Sequence, residues 1–148
     1  MAAQPLDITL DAQVANALAP NGAVQSSLTT AWPELLGIYV FGSHIQGNAN
    51  SESDLDLAVL LPGYAASSKL WEIAGQLSDS VGCAVDLLDL RAASTVMQYQ
   101  VLMRGKKLWS IEPAAGLFEA FVLSEYTQLG EARAGLLADI AKNGLIYG

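Results

Sequence analysis

The pattern of hydrophobic and polar positions predicts helices and short strands along the whole chain. Apolar residues at helical spacing predict helices over 6–19 and 23–32, and Val24, Leu28 and Trp32 form one stripe on the second. The helices predicted further along are 67–81, 94–104 and 113–143, and the strands, which are rich in β-branched and aromatic residues, are 36–41, 55–61, 83–88 and 108–111. This order predicts an α/β (α+β) fold with a small mixed sheet of about four strands, flanking helices and a long C-terminal helix.

Length and composition indicate one domain. The chain has 148 residues, of which 52% are hydrophobic and 15% charged, and this is enough to build a single core. We expect residues 1–148 to form one unit with a core over about 35–112, preceded by helices over 6–32 and followed by a helix over about 113–143. No run of about 18 uninterrupted apolar residues occurs, so we expect no membrane span.

Charge and cysteine content narrow the possible partners and location. The net charge of -8 argues against direct binding of nucleic acid, because a basic face supplies most of that affinity, and it favours a basic protein partner. Cys83 is the only cysteine, so an internal disulfide is impossible. Together with an amino end that lacks the features of a secretory signal, this predicts a cytoplasmic protein.

The segment from Gly42 to Leu60 carries the clearest chemical signal. Side chains alternate along a strand, so Asp54 and Asp56 are expected on one face and Leu55 and Leu57 on the other. Asp86 interrupts the next apolar run and would join them if the two strands are neighbours. Three carboxylates crowded together are unfavourable unless cations neutralise them.

Magnesium suits such a site because it prefers oxygen ligands and leaves positions for water and phosphate. Two ions can stabilise the attacking and leaving oxygens of a displacement at phosphorus. Gly42 ends a predicted strand, and Ser43 begins a turn whose backbone N–H groups would face a triphosphate. Gly47 would let the chain leave that turn.

The spacing Gly42-Ser43, ten residues, Asp54-Leu55-Asp56 resembles the signature of the DNA polymerase beta nucleotidyltransferase superfamily. The sequence pattern GSxxxGxxxxxSDLDLAVL and the later RGKKLW segment resemble those of the minimal nucleotidyltransferase (MNT, MntA-like) antitoxins, which are paired with HEPN ribonuclease toxins. This resemblance implies a nucleotidyltransferase fold. It also implies an enzyme that transfers AMP from ATP to a tyrosine of its partner toxin and so silences it.

The same resemblance implies roles for individual residues. Asp54, Asp56 and Asp86 would be the catalytic residues and the ligands of two Mg²⁺ ions, with Asp86 also a possible base. Gly42, Ser43 and Ser53 would contact the nucleotide. His44 follows the Gly-Ser pair where many relatives carry a basic or bulky residue, and it is either a loop residue or a catalyst.

Some alternatives stay open at this stage. Asp89 lies three residues after Asp86 and could share its task. The basic residues in this part of the chain, Arg91, Arg104, Lys106 and Lys107, mark either a phosphate or partner contact or a solvated patch. The last helix has more apolar residues than one sheet face needs, which indicates association with a partner.

Three functions therefore compete. The first is an antitoxin that adenylylates a partner protein. The second is a non-catalytic antitoxin that acts by stoichiometric binding. The third is a nucleotidyltransferase that acts on a small molecule such as an antibiotic.

Overall fold

The computed structural model describes residues 12–42 and 54–143, with side chains to residue 138. In chain order the elements are α1 (Ala12–Leu18), α2 (Ala23–Ala31), β1 (Gly37–Phe41), β2 (Leu55–Leu60), α3 (Ser67–Val81), β3 (Val85–Asp89), α4 (Thr95–Arg104), β4 (Lys106–Ser110) and α5 (Ala114–Asn143). The predicted helix–strand order is confirmed for the described residues. Positions 6–11 of the first predicted helix lie outside them.

The four strands form one mixed sheet in the order β3-β2-β1-β4. β1 pairs antiparallel with both β2 and β4, whereas β2 pairs parallel with β3 through the crossover helix α3. The edges of the sheet are therefore β3 and β4, and β2 lies between the strand that ends at Phe41 and the strand that carries Asp86. This order decides which side chains of the site are neighbours.

The sheet separates two apolar cores because its side chains alternate between faces. On one face Ile38, Val40, Leu55, Leu57 and Val59 pack against α1, α2 and α3. The other face, which we call the α4/α5 face, carries the complementary set of Tyr39, Ala58 and Leu60, which pack with Val101 of α4 and Phe118 and Val122 of α5. Asp56 belongs to the second set by its position in β2.

Several boundaries differ from the prediction for physical reasons. β3 begins at Val85 rather than residue 83, because Gly82 ends α3 in a left-handed conformation and the chain is still leaving that cap. β4 begins at Lys106 rather than residue 108; lysines are uncommon in strands but suit an exposed edge. Ser94 is the N-cap of α4, since its Oγ accepts a hydrogen bond from the Met97 N–H at 3.2 Å.

A partly exposed polar network links α5 to the sheet. The Tyr39 hydroxyl donates a hydrogen bond to Glu119 Oε2 at 2.8 Å, and Lys107 Nζ donates to the same oxygen at 3.0 Å. Burial, and then the hydrogen bond to Glu119, raise the pKa of Tyr39 well above its ordinary value. The network links β1, β4 and α5 on the α4/α5 face.

Within residues 12–42 and 54–143, no helix combines the length and apolar character needed to cross a bilayer.

Candidate functional site

Asp56 and Asp86 are partners in the parallel ladder between β2 and β3. Their Cα atoms are thus roughly 4.8 Å apart, the usual separation of neighbouring strands. Leu88, two residues after Asp86, packs in the core of the α4/α5 face, and Ala58 and Leu60 do the same on β2. Alternation therefore directs both carboxylates to that face, and the sheet brings together two of the three predicted acidic residues.

Asp54 is an exposed residue that directly precedes β2. It lies two positions before Asp56 on the same segment, at the end of the sheet where β1 ends and β2 and β3 begin. Asp56 is half-buried and Asp86 is exposed. The acidic end of the sheet is therefore open to solvent, which a bound nucleotide requires.

Gly42 connects this acidic end to the end of β1. Phe41 is the register partner of Asp56, and Gly42 follows with a φ of 84°, in the left-handed region that glycine adopts readily. A Cβ at position 42 would overlap Asp56 Oδ2. Only glycine lets the backbone approach this carboxylate so closely, which accounts for glycine at the start of the predicted phosphate-binding turn.

The remaining residues of that turn are outside the part of the chain that the structure describes. Ser43 and Ser53, predicted to contact the nucleotide, belong to this group, as do His44 and Gly47. Their predicted roles stay predictions.

The carboxylates suit a magnesium ion in donor type. Among residues 12–42 and 54–143, no group of three or more His, Cys, Asp or Glu side chains could by itself hold a metal ion. Magnesium rarely needs such a cage, because it is usually bound by one or two carboxylates together with substrate phosphates and water. Asp56 and Asp86, which project from one sheet face beside a glycine turn, therefore fit an ion that shares its ligands with a nucleotide.

Asp89 does not lie on the same face of the sheet as Asp86. It lies on the opposite face of β3 by alternation, and only 7% of its surface is exposed. Its Oδ2 accepts a hydrogen bond from the Ala65 N–H at 2.8 Å, which fixes the loop before α3. Its role is structural.

A cavity of about 500 Å³ lies between Gly42 and α4, on the side of the sheet that carries the carboxylates. Phe41, Val96, Met97 and Arg104 contribute to its lining. Its volume is in the usual range for small-molecule sites. A second cavity, of about 450 Å³, lies between α3 and β3 and has Asp86 on its border. The first cavity adjoins the glycine turn and has a cation, Arg104, in its lining, and both features suit a nucleotide.

The structure separates the four clustered basic residues. Arg91 Nε donates a hydrogen bond to the Leu61 carbonyl at 2.8 Å, and its guanidinium lies 5.0 Å from the centre of the Phe118 ring. Lys107 pairs with Glu119 and Glu112. Both therefore have structural contacts, whereas Arg104 lines the cavity and Lys106 is exposed at the start of β4.

Gly105 explains why Arg104 reaches the end of β1. A Cβ at position 105 would lie 2.6 Å from the Val40 carbonyl oxygen and 3.2 Å from Phe41 Cβ. The absence of a side chain lets the end of α4 approach β1 closely.

Val96 and Met97 were not predicted as site residues. Both are exposed apolar residues in the first turn of α4. Their exposure is the available signal, but it appears only once the buried side of α4 is known.

Comparison with known proteins agrees with this geometry. The sequence pattern of the family described as "Polymerase beta, Nucleotidyltransferase" matches residues 25–114. The protein adenylyltransferase MntA of Shewanella oneidensis is 39% identical over 111 residues, which are 75% of this chain and 80% of that protein.

Two solved structures are similar over 80% of this chain. One is a crystal structure of a toxin–antitoxin with AMP-PNP, with 36% identity, a TM-score of 0.70 and 95% of that chain covered. The other is a tri-AMPylated HEPN toxin in complex with an MNT antitoxin, from Shewanella oneidensis, with 34% identity, a TM-score of 0.66 and 93% covered. The predicted fold and the predicted resemblance are confirmed. This chain belongs to the polymerase beta nucleotidyltransferase family.

Proposed function

We propose that this protein is an antitoxin enzyme that transfers AMP from ATP to a tyrosine hydroxyl of a partner HEPN ribonuclease toxin and thereby silences it. The observation that carries the proposal is the pairing of Asp56 with Asp86 beside the Gly42 turn. The relatives supply the substrate class, since MntA is a protein adenylyltransferase and a similar structure contains an AMPylated HEPN toxin.

The reaction is a displacement at the α-phosphorus of ATP. The tyrosine oxygen forms a new bond to this phosphorus, the bond to the bridging oxygen of the leaving group breaks, and pyrophosphate departs. The tyrosine proton passes to a base, for which Asp86 is the candidate. Such transfers need positioning and neutralisation of charge more than covalent chemistry.

The side chains divide this task by position. Asp54, Asp56 and Asp86 are proposed to hold two Mg²⁺ ions, which when bound neutralise phosphate charge and stabilise the reacting oxygens. Gly42, with Ser43 and Ser53, is proposed to contact the triphosphate. Arg104 faces the same cavity and would form a charge-assisted hydrogen bond with a phosphate oxygen.

The long C-terminal helix supports a protein partner. Several of its apolar residues are exposed: Leu117, Phe121, Leu123, Leu129, Leu136 and Leu137. This many exposed apolar side chains on one helix is typical of a surface that meets another protein.

We also propose that residues 1–148 form a single nucleotidyltransferase domain. This is supported by the two apolar cores, which share one sheet. The proposal also includes a cytoplasmic location, supported by the single cysteine, Cys83.

The proposal is tested by measuring the transfer of labelled AMP to the partner protein. The chain is incubated with α-labelled ATP, Mg²⁺ and the protein encoded beside it, and incorporation into that protein is followed with time. We expect tyrosine-linked AMP in the partner and none with an Asp54→Ala, Asp56→Ala double variant. Equal labelling by the double variant would remove the enzymatic claim. A double variant that still neutralises the toxin would favour antitoxin action by stoichiometric binding.

A further inference from the structure

The edge of the sheet beside Asp86 has the features of a peptide-docking surface. β3 is an edge strand, so its outer side has no strand partner among the described residues. The Leu55 N–H donates to the Ala84 carbonyl and the Leu90 N–H to the Val59 carbonyl, so residues 84 and 90 face β2. By alternation the backbone groups of Val85 and Leu87 face outward.

One of these outward groups already has a partner. The Val85 N–H donates to Ser78 Oγ at 2.9 Å. The N–H and C=O of Leu87, together with the C=O of Val85, are left directed away from the sheet, where an added strand would form its hydrogen bonds.

An apolar groove runs along this edge. The α3–β3 groove is the 450 Å³ cavity bordered by Trp71, Gly75 and Ser78 on α3 and by Val85, Asp86 and Leu87 on β3. Trp71 is 84% exposed, and a Cβ at Gly75 would meet no atom within 4 Å. A large aromatic side chain left in solvent beside an open glycine forms an accessible apolar pocket.

The charges around the groove are acidic. Asp86 borders it, and Glu72 and Asp79 are exposed one turn before and after Gly75 on α3. No Lys or Arg contributes to its described lining. A segment with basic side chains would therefore complement this surface. The net charge of -8 also favours binding of a basic segment.

The groove meets the carboxylate face only at β3. It lies on the face of the sheet that packs against α3, whereas Asp56 and the nucleotide cavity lie on the α4/α5 face. Across the sheet the order is Asp86 on β3, Asp56 on β2 and then Gly42 after β1, so Asp86 is the acidic residue nearest to the groove. A strand added along the outer edge of β3 would have side chains on both faces, so it could reach the groove on one face and the side of Asp86 on the other.

We propose that the acceptor segment of the partner protein binds as an extended strand along the outer edge of β3, with flanking apolar side chains in the α3–β3 groove. The proposal rests on the proposed function. Side chains of an added strand alternate as those of β3 do. A residue level with Asp86 therefore points to the carboxylate face, and its two neighbours point toward Trp71 and Gly75. The segment carries its hydroxyl residue between apolar neighbours, with basic residues nearby.

The test combines kinetics with a matched pair of variants. Gly75→Phe fills the groove, whereas Gln76→Phe places the same side chain at an exposed neighbouring position of α3 that does not line it. We expect Gly75→Phe and Trp71→Ala to raise the KM for the partner about tenfold and to leave the KM for ATP unchanged. Gln76→Phe should match the wild type in both. Equal partner KM values for the two phenylalanine variants would overturn the proposal.

A second measurement does not depend on catalysis. Trp71→p-benzoylphenylalanine is photocrosslinked to the unmodified partner without ATP, and the crosslinked peptide is identified by mass spectrometry. We expect it to come from within a few residues of the acceptor hydroxyl. A crosslink to a distant part of the partner, or none, would overturn the docking site. Failure of the wild type to transfer AMP would instead remove the proposed function.

Discussion

Asp56 and Asp86 occupy the same level of two parallel strands and project from the same face of the sheet. Each strand alone would present an acidic residue among apolar ones. Their pairing places two like charges roughly 4.8 Å apart at the backbone, an arrangement that a cation between them would stabilise.

Loss of either carboxylate should abolish chemistry while the fold persists. We expect Asp86→Asn to lower the rate of AMP transfer about 100-fold or more, because the variant loses a proposed ligand of the metal ions. Asp86 is exposed, so the thermal midpoint should stay near that of the wild type. Glu34→Gln, at an exposed position near the opposite end of β1, is the control and should keep full activity. An active Asp86→Asn variant would exclude Asp86 from the site.

Alanine substitutions at two glycines with similar backbone conformations should distinguish an effect on activity from an effect on stability. Gly42 and Gly82 have φ values of 84° and 86°, so alanine at either position should cost about 1–2 kcal/mol of unfolding free energy. Only Gly42→Ala should also reduce transfer strongly, since its Cβ overlaps Asp56 Oδ2, whereas the Cβ of Gly82→Ala meets the Gln13 side chain. Denaturant unfolding and transfer rates measured on both variants check this. Equal activity losses would contradict it.

Arg104 should act on the nucleotide. We expect Arg104→Ala to raise the KM for ATP about tenfold, the cost of one lost charge-assisted hydrogen bond. Arg104→Lys should recover part of the loss. Arg133→Ala, an exposed arginine on α5, should leave the KM for ATP unchanged. Steady-state kinetics with varied ATP measure the effect, and an unchanged KM in Arg104→Ala would place the triphosphate elsewhere.

Stability should fall at alkaline pH because of Tyr39. Burial, with the hydrogen bond to Glu119, raises its folded-state pKa above the ordinary value of 10.0. Its contribution is complete below that value and is lost as pH rises above it, since the unfolded chain releases the proton first. Urea unfolding from pH 8 to 11 should show this decline. Tyr39→Phe should flatten it, at a cost of about 1 kcal/mol at pH 8. The same slope in both proteins would show that other groups cause the decline.

The sequence predicted the elements well because each carried its own periodicity. The stripe of Val24, Leu28 and Trp32 identified the buried side of α2, and the alternation around Asp56 identified the face of β2 on which Asp56 lies. Both signals are local, so they do not depend on the order of strands.

Features that depend on residues far apart in the sequence were harder to predict. That Asp86 lies beside Asp56 follows from strand order and register, which no local pattern encodes. Residues 106 and 107 were missed as strand because lysines are rare in sheets, but pairing with β1 at an edge accommodates them. Trp71 lies off the apolar stripe of α3, a signal of exposure that was overlooked.

We expect AMP transfer to the partner to require the carboxylates of Asp56 and Asp86. The most direct measurement is the intact mass of the partner after purification from cells that co-express it with the wild-type chain or with an Asp56→Asn, Asp86→Asn double variant. We expect a partner heavier by whole AMP units in the first case and an unmodified partner in the second. An AMP-modified partner in the presence of the double variant would contradict this expectation.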